Sequence, residues 1–139
     1  MSRPSLMKTK TYHLLDLEKL LDNLEGGNSS VWGHTQKGKP SETLLEHSAL
    51  CLEYYHTFCK TKGIDKIVRK VIAACGCIDE EIEIIYDMFV NAIYLHDVGK
   101  INPCYQSRRL SNPAFKEEKW EYDGNSNHAL PSAYIYMCE

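Results

Sequence analysis

No stretch of this sequence stays apolar for long enough to span a membrane. The basic lead-in from Met1 to Lys10 runs into no apolar signal core. Cysteine pairs at metal or redox spacing are missing as well. The six cysteines fall irregularly at 51, 59, 75, 77, 104 and 138, and Cys75-Gly76-Cys77 lacks the two-residue gap of a zinc knuckle or a redox pair. With no export signal, this usage predicts reduced thiols in a cytoplasmic protein. Positive charge is not in excess: 16 Lys and Arg stand against 19 Asp and Glu, giving a net charge of -3. That balance does not advertise a strong nonspecific nucleic-acid binder, though a local basic patch can still do that work. No segment alternates like an amphipathic strand, and there are no repeats and no low-complexity tract.

What remains is a chain of 139 residues, 43% hydrophobic and 25% charged, suited to one domain that buries a core without staples. Its patterning is helical. Leu14, Leu17, Leu20, Leu21 and Leu24 recur at three- and four-residue steps and predict a helix from Tyr12 to Leu24, closed by Gly26-Gly27. Ser41 is the expected cap of a second helix over 42–61, with Glu42 and Glu46 in its first turns. Its stripe comprises Leu44, Ser48, Cys51, Leu52, Tyr55, Phe58 and Cys59, which puts His47 on or beside the buried face. A third helix starts near Asp65 and ends at Gly76, with Lys66, Arg69 and Lys70 on a solvated side. A fourth opens at Asp79 and runs to Leu95 as the most apolar of all, through Ile82, Ile85, Tyr86, Phe89 and Ile93. Gly99 is expected to end it in the left-handed conformation. A short helix around Tyr105–Leu110 follows, then a turn over Asp123–Asn127, then a last helix with Pro131 in its first turn and His128 just before it. The fold class is all-α.

The chemistry gathers at His96-Asp97-Val98-Gly99-Lys100. Continuing the apolar stripe of the fourth helix by three or four residues reaches His96 and Asp97, so both emerge at its end. A carboxylate there requires a cation or strong donors. His47, His96 and His128 each sit on or at the end of a separate helix, and a bundle can bring such side chains and Asp97 to one metal centre. Imidazole with carboxylate suits transition metals better than an all-oxygen cage does. Taken singly, each histidine reads more readily as a hydrogen-bonded core or surface residue than as a ligand.

His47 within Leu44-Leu45-Glu46-His47-Ser48, then His96-Asp97-Val98-Gly99-Lys100, then His128 ahead of Ser132-Ala133, resembles the HD superfamily of metal-dependent phosphohydrolases. Within it the likeness is to the HD nuclease domain of the type I CRISPR helicase-nuclease, the Cas-three family. Trp32-Gly33-His34 resembles its W-A-H segment. His96-Asp97-x-Gly99-Lys100-x-x-Pro103-x-Tyr105-Gln106 resembles its H-D-x-G-K-x-x-P-x-[FY]-Q signature, and the separation of 49 residues between His47 and His96 fits. HD-GYP phosphodiesterases usually have a shorter gap and a G-Y-P motif that is absent here.

The resemblance implies an HD-superfamily helical domain over residues 1–139, with 1–30 as an N-terminal extension. It implies a hydrolase that cleaves phosphodiester bonds of single-stranded DNA in CRISPR interference. His47, His96 and Asp97 would hold a first metal, Asp97 would bridge to a second, and His128 would ligate that one. Lys100 would lie near the scissile phosphate and His34 near the site. The cofactor would be one or two divalent ions, Mn, Fe, Ni, Co or Mg. Since ligating histidines must be neutral, activity would fall in mild acid. The partners would be single-stranded DNA, a helicase domain and the CRISPR surveillance complex, with Lys37, Lys39, Arg108 and Arg109 as strand contacts or simply solvated charges. The family completes its site with a downstream His-His pair and a late Asp, so ending at Glu139 implies either the N-terminal part of a longer protein or a naturally short remnant. The alternatives are an HD phosphohydrolase acting on nucleotides or cyclic dinucleotides, and an incomplete HD fold that binds or regulates a partner.

Overall fold

The computed structural model describes residues 13–24, 30–115 and 128–138. The expected lead-in over 1–11, the helix start at Tyr12, the Gly26-Gly27 stop and the 123–127 turn lie outside them. The described chain is mainly helical: α1 (Leu17–Asp22), α2 (Leu44–Lys62), α3 (Ile64–Ala74), α4 (Asp79–Leu95) and α5 (Ala129–Cys138). A 3-10 turn over Val98–Ile101 follows α4, and a π turn over Tyr105–Arg109 stands where a short helix was expected. Among the described helices, none is long and apolar enough to cross a membrane.

One small pair of strands, unannounced by the sequence, stands beside the helices and leaves the all-α class unchanged. β1 (Trp32–His34) runs antiparallel to β2 (Glu42–Thr43), with Trp32 opposite Thr43 and His34 opposite Glu42. Strands of three and two residues are too short to display an alternation. They also move the start of α2. Its cap is Thr43, not Ser41: the Thr43 hydroxyl accepts from the Glu46 N–H at 3.2 Å, and the Glu46 carboxylate accepts from the Thr43 N–H at 2.9 Å. This reciprocal pair satisfies two amides that the first helical turn leaves open. Thr43→Ala is expected to lower stability by about 1 kcal/mol in urea unfolding. Ser41→Ala, at the position the sequence favoured, should stay within about 0.5 kcal/mol of the parent.

Gly63, at φ 64°, ends α2 and caps α3, so the two helices turn sharply on each other. Both pack on α4. Their shared core holds Tyr55, Ile72, Tyr86 and Val90. The Tyr55 and Tyr86 hydroxyls meet at 2.6 Å. The Arg69 guanidinium lies 3.5 Å over the Tyr86 ring and grips Glu83 through two bonds, so this part of the basic α3 face is engaged and not merely solvated.

A second core joins Leu17 and Leu21 of α1, Val31, Leu44, Leu95 and Val98. Asn91 ties the segment before α1 to α4, donating to the His13 carbonyl and accepting from the Leu15 N–H. The described part of the N-terminal region is thus built into the core. α4 is less buried than its pattern suggested. Ile85 and Phe89 are 38% and 39% exposed, and the buried positions are Tyr86, Val90, Asn91 and Leu95. Phe58 of α2 is likewise exposed.

Candidate metal centre

α4 ends at Leu95, and the chain turns at once. Asp97 takes φ -105° and ψ 3°, the sparsely allowed bridge region in which site residues often sit. This bend points the Asp97 carboxylate inward, where it is 3% exposed. Three imidazoles and an ammonium surround it. His47 Nε2 lies 3.1 Å and His96 Nε2 3.3 Å from Oδ2. His128 Nε2 lies 2.9 Å from the other oxygen, Oδ1. Lys100 Nζ donates to Oδ2 at 2.6 Å and to the Gly33 carbonyl at 2.7 Å. His47, His96, Asp97, Lys100 and His128, separated by up to 81 positions in the chain, therefore meet at one carboxylate.

Each arrival has a local cause. His47 stands one turn into α2, and its Nδ1–H donates to the Glu42 carboxylate of β2 at 2.8 Å. His96 caps α4 and donates its Nδ1–H to the Ile93 carbonyl at 2.8 Å. His128 precedes α5, whose first turn is clamped to the 98–101 turn. There the Gly99 N–H donates to Ser132 Oγ at 2.8 Å, and Ser132 Oγ donates to the His128 carbonyl at 2.7 Å. Gly99 is not in the left-handed region. It is a glycine because α5 comes so close that a Cβ would fall 2.1 Å from the His128 carbonyl oxygen. Gly33 has the same reason: a Cβ there would meet His47 Cβ at 2.7 Å and Leu44 Cα at 2.9 Å. β1 consequently lies against α2 and offers its carbonyl to Lys100.

The turn after Lys100 is held by Gln106, which is fully buried. Its amide donates to the Trp32 and Lys100 carbonyls, and its oxygen accepts from the Trp32 N–H and from Asn112 Nδ2. Gln106 ties the Lys100 carbonyl to β1 without entering the site. Lys100 is buried and engaged with Asp97 and Gly33, not displayed to solvent. His34 is exposed, its ring stacked on that of His47 at a centroid distance of 5.9 Å. Lys37 and Lys39 in the β1–β2 loop, and Arg108 and Arg109 in the π turn, are exposed.

Electrostatically the centre favours the charged carboxylate. Burial pushes Asp97 up, but the hydrogen bonds from His96 and Lys100 and the Lys100 charge outweigh it and hold the carboxyl well below the usual range. The His96 imidazole is raised, first by its bond to Asp97, against the opposing effect of burial. The tautomers matter more. His47 and His96 each use Nδ1 to donate to an acceptor, so in the neutral rings both Nε2 atoms present lone pairs toward Asp97 Oδ2. Lone pairs facing a carboxylate oxygen at 3.1 and 3.3 Å call for a cation between them or a second proton on each ring. Donors about 2.0–2.2 Å from a tetrahedral metal stand about 3.3–3.5 Å apart, so the spacing is close to that of a shared ion. Imidazole nitrogens gathered in this way are a donor set able to hold a metal ion.

The sequence reading left out two members of this site. Cys51 lies one turn beyond His47 on α2, with Sγ 3.8 Å from His47 Nε2. One ligand atom from each of His47, Cys51 and His96 lies within 4.8 Å of the others, which makes the trio a group able to hold a metal ion. The i, i+4 step from His47 was the signal available for it. Glu42, read as a helix-dipole acid, instead orients His47 from β2. No protein-family model, curated protein or solved structure matches this chain.

Proposed function

We propose that this chain carries an HD-type metal-dependent phosphohydrolase centre, and that its substrate is a phosphodiester of single-stranded DNA, as in a CRISPR type I nuclease domain. The observation that carries the metal reading is the convergence of His47 Nε2 and His96 Nε2, at 3.1 and 3.3 Å, on the one buried carboxylate oxygen. His47, His96 and Asp97 Oδ2 would hold one ion, and Asp97 Oδ1 with His128 would offer the start of a second position. When bound, a divalent Mn, Fe, Co, Ni or Mg ion supplies Lewis acidity toward a water and a phosphate oxygen. The protein's own part is orientation. Glu42 and the Ile93 carbonyl fix the two ring tautomers, as outer-sphere partners of ligating histidines do. Lys100 holds Asp97 in place and keeps it ionised, a positioning role in the observed geometry. The choice of DNA rests on the sequence resemblance, with Lys37, Lys39, Arg108 and Arg109 as the cations for the strand.

The test is cleavage of circular single-stranded DNA by the chain supplied in turn with Mn, Co, Ni, Fe(II) and Mg. Cleavage is expected with the transition metals, ending on chelation and in Asp97→Asn. Activity that survives Asp97→Asn overturns the centre. Hydrolysis of cyclic dinucleotides but not of DNA keeps the centre and overturns the substrate. Metal binding with no hydrolysis of either leaves a binding or regulatory module.

A further inference from the structure

We infer that Cys51 is a thiolate ligand of the metal held by His47, His96 and Asp97, so that the site selects thiophilic ions such as Zn, Co, Ni and Fe(II) over Mg and Mn. This rests on the metal reading above and goes beyond the His and Asp ligands taken from the motif.

Geometry carries it. His47 and Cys51 occupy one face of α2 a single turn apart, and Sγ stands 3.8 Å from His47 Nε2. In a tetrahedral site with metal–sulfur bonds of about 2.3 Å and metal–nitrogen bonds of about 2.0–2.1 Å, these two atoms would be about 3.6 Å apart. The Nε2 to Oδ2 distances of 3.1 and 3.3 Å match the same polyhedron. The ligand atoms of the His47, Cys51 and His96 trio stand at most 4.8 Å apart. That is about 1 Å wider than a bound ion would hold them, within reach of a small side-chain rotation. Asp97 adds the fourth donor. Two imidazoles, a thiolate and the Asp97 carboxylate beside the imidazoles would make four donors, and expansion to five positions keeps one open for water.

The chemistry agrees with the geometry. Thiolate draws soft and borderline ions, whereas Mg and Mn prefer oxygen. On binding, the thiol proton leaves to solvent and the sulfur lone pair goes to the metal. Cys51 is half-buried beside the site, which leaves it accessible to an incoming ion.

The experiment titrates Co(II) into the whole 139-residue chain, reduced and stripped of metal, and into Cys51→Ser and Cys51→Ala. Cobalt bound by nitrogen and oxygen alone shows visible d–d absorption. A bound thiolate adds sulfur-to-cobalt charge transfer in the near ultraviolet. The parent is expected to show both bands at one equivalent, with Mg(II) in excess failing to displace the cobalt. Both variants are expected to keep d–d absorption, to lose the charge-transfer band, and to bind more weakly by more than the roughly 10–100-fold typical of losing an outer-sphere partner. Peptide mapping after alkylation gives a second readout on the unaltered protein: Zn(II) should protect Cys51 and leave Cys59, Cys75, Cys77 and Cys104 reactive. A charge-transfer band that persists in the variants, or d–d absorption without charge transfer in the parent, overturns the thiolate and leaves the His and Asp centre standing. Absence of any cobalt binding overturns both.

Discussion

Gly99→Ala is expected to lower stability by about 3 kcal/mol or more and to pull His128 away from Asp97. The added Cβ would fall 2.1 Å from the His128 carbonyl oxygen, 2.8 Å from the Ser132 nitrogen and 2.9 Å from Ser132 Oγ. Two of these are backbone atoms, so no flexible side chain can turn aside. α5 must retreat by about 1 Å, at the upper end of the usual 1–3 kcal/mol cost of overpacking. The retreat breaks the bond from the Gly99 N–H to Ser132 and carries the His128 ring with it. Thermal unfolding should show a fall of roughly 10 °C, and the His128 imidazole resonances should move. Gly38→Ala is the control. Gly38 has φ 80° and nothing within 4 Å of an added Cβ, so its cost is only the left-handed strain of about 1–2 kcal/mol. A Gly99→Ala protein as stable as Gly38→Ala would mean that the close approach of α5 does not constrain the fold.

Gly99 also shows where a sequence stops being informative. A glycine after a helix reads as a left-handed stop, because that use is frequent and local. Its actual cause is a contact with residues 29 and 33 positions away, which no nearby pattern encodes. Elements whose cause is local were legible. α4 spans Asp79–Leu95, from the acidic residues that open it to its cap at His96, as its periodicity indicated. α2 was found but started too early, because Glu42 and Glu46 look alike as first-turn acids. The Thr43-x-x-Glu46 capping box marked the true start. β1 and β2 left no trace, being shorter than one period of a useful pattern. The meeting of His47, His96, Asp97 and His128 could be anticipated because each lies on or at the end of a helix with an apolar side, and packing such helices narrows where their ends can go. Gln106 could not be valued that way. Its partners include the backbone of Trp32, 74 positions distant, and only the assembled chain brings them together.

Asp97→Asn should be the most damaging single change to the site, and its pH dependence should separate the metal-free protein from the metal-bound one. In the metal-free protein the substitution leaves the Lys100 ammonium 8% exposed with only the Gly33 carbonyl as its strong partner. Breaking a buried charge pair from one side costs about 3–5 kcal/mol. Asp97 has a depressed carboxyl, so its contribution is present above the unfolded value of about 3.9 and is lost as pH falls through the folded one. His96 is raised, so its share is full below about 6.5 and is lost as pH rises through its folded value. The stability gap between parent and Asp97→Asn should therefore be widest between about pH 4 and 6.5 and narrow on both sides. Lys100→Met placed on Asp97→Asn removes the stranded charge and should restore about 2 kcal/mol, a non-additivity expected only if the two groups act as a pair. Metal binding has the opposite slope, because imidazoles must give up their protons to ligate. With Co(II) present, the gap should keep growing above pH 6.5, where the metal-free gap has begun to close. A metal-free gap within about 0.5 kcal/mol of zero at pH 5.5 would mean that Asp97 is not the electrostatic hub, and a gap that shrinks above pH 6.5 with cobalt as it does without would mean that it is not a ligand.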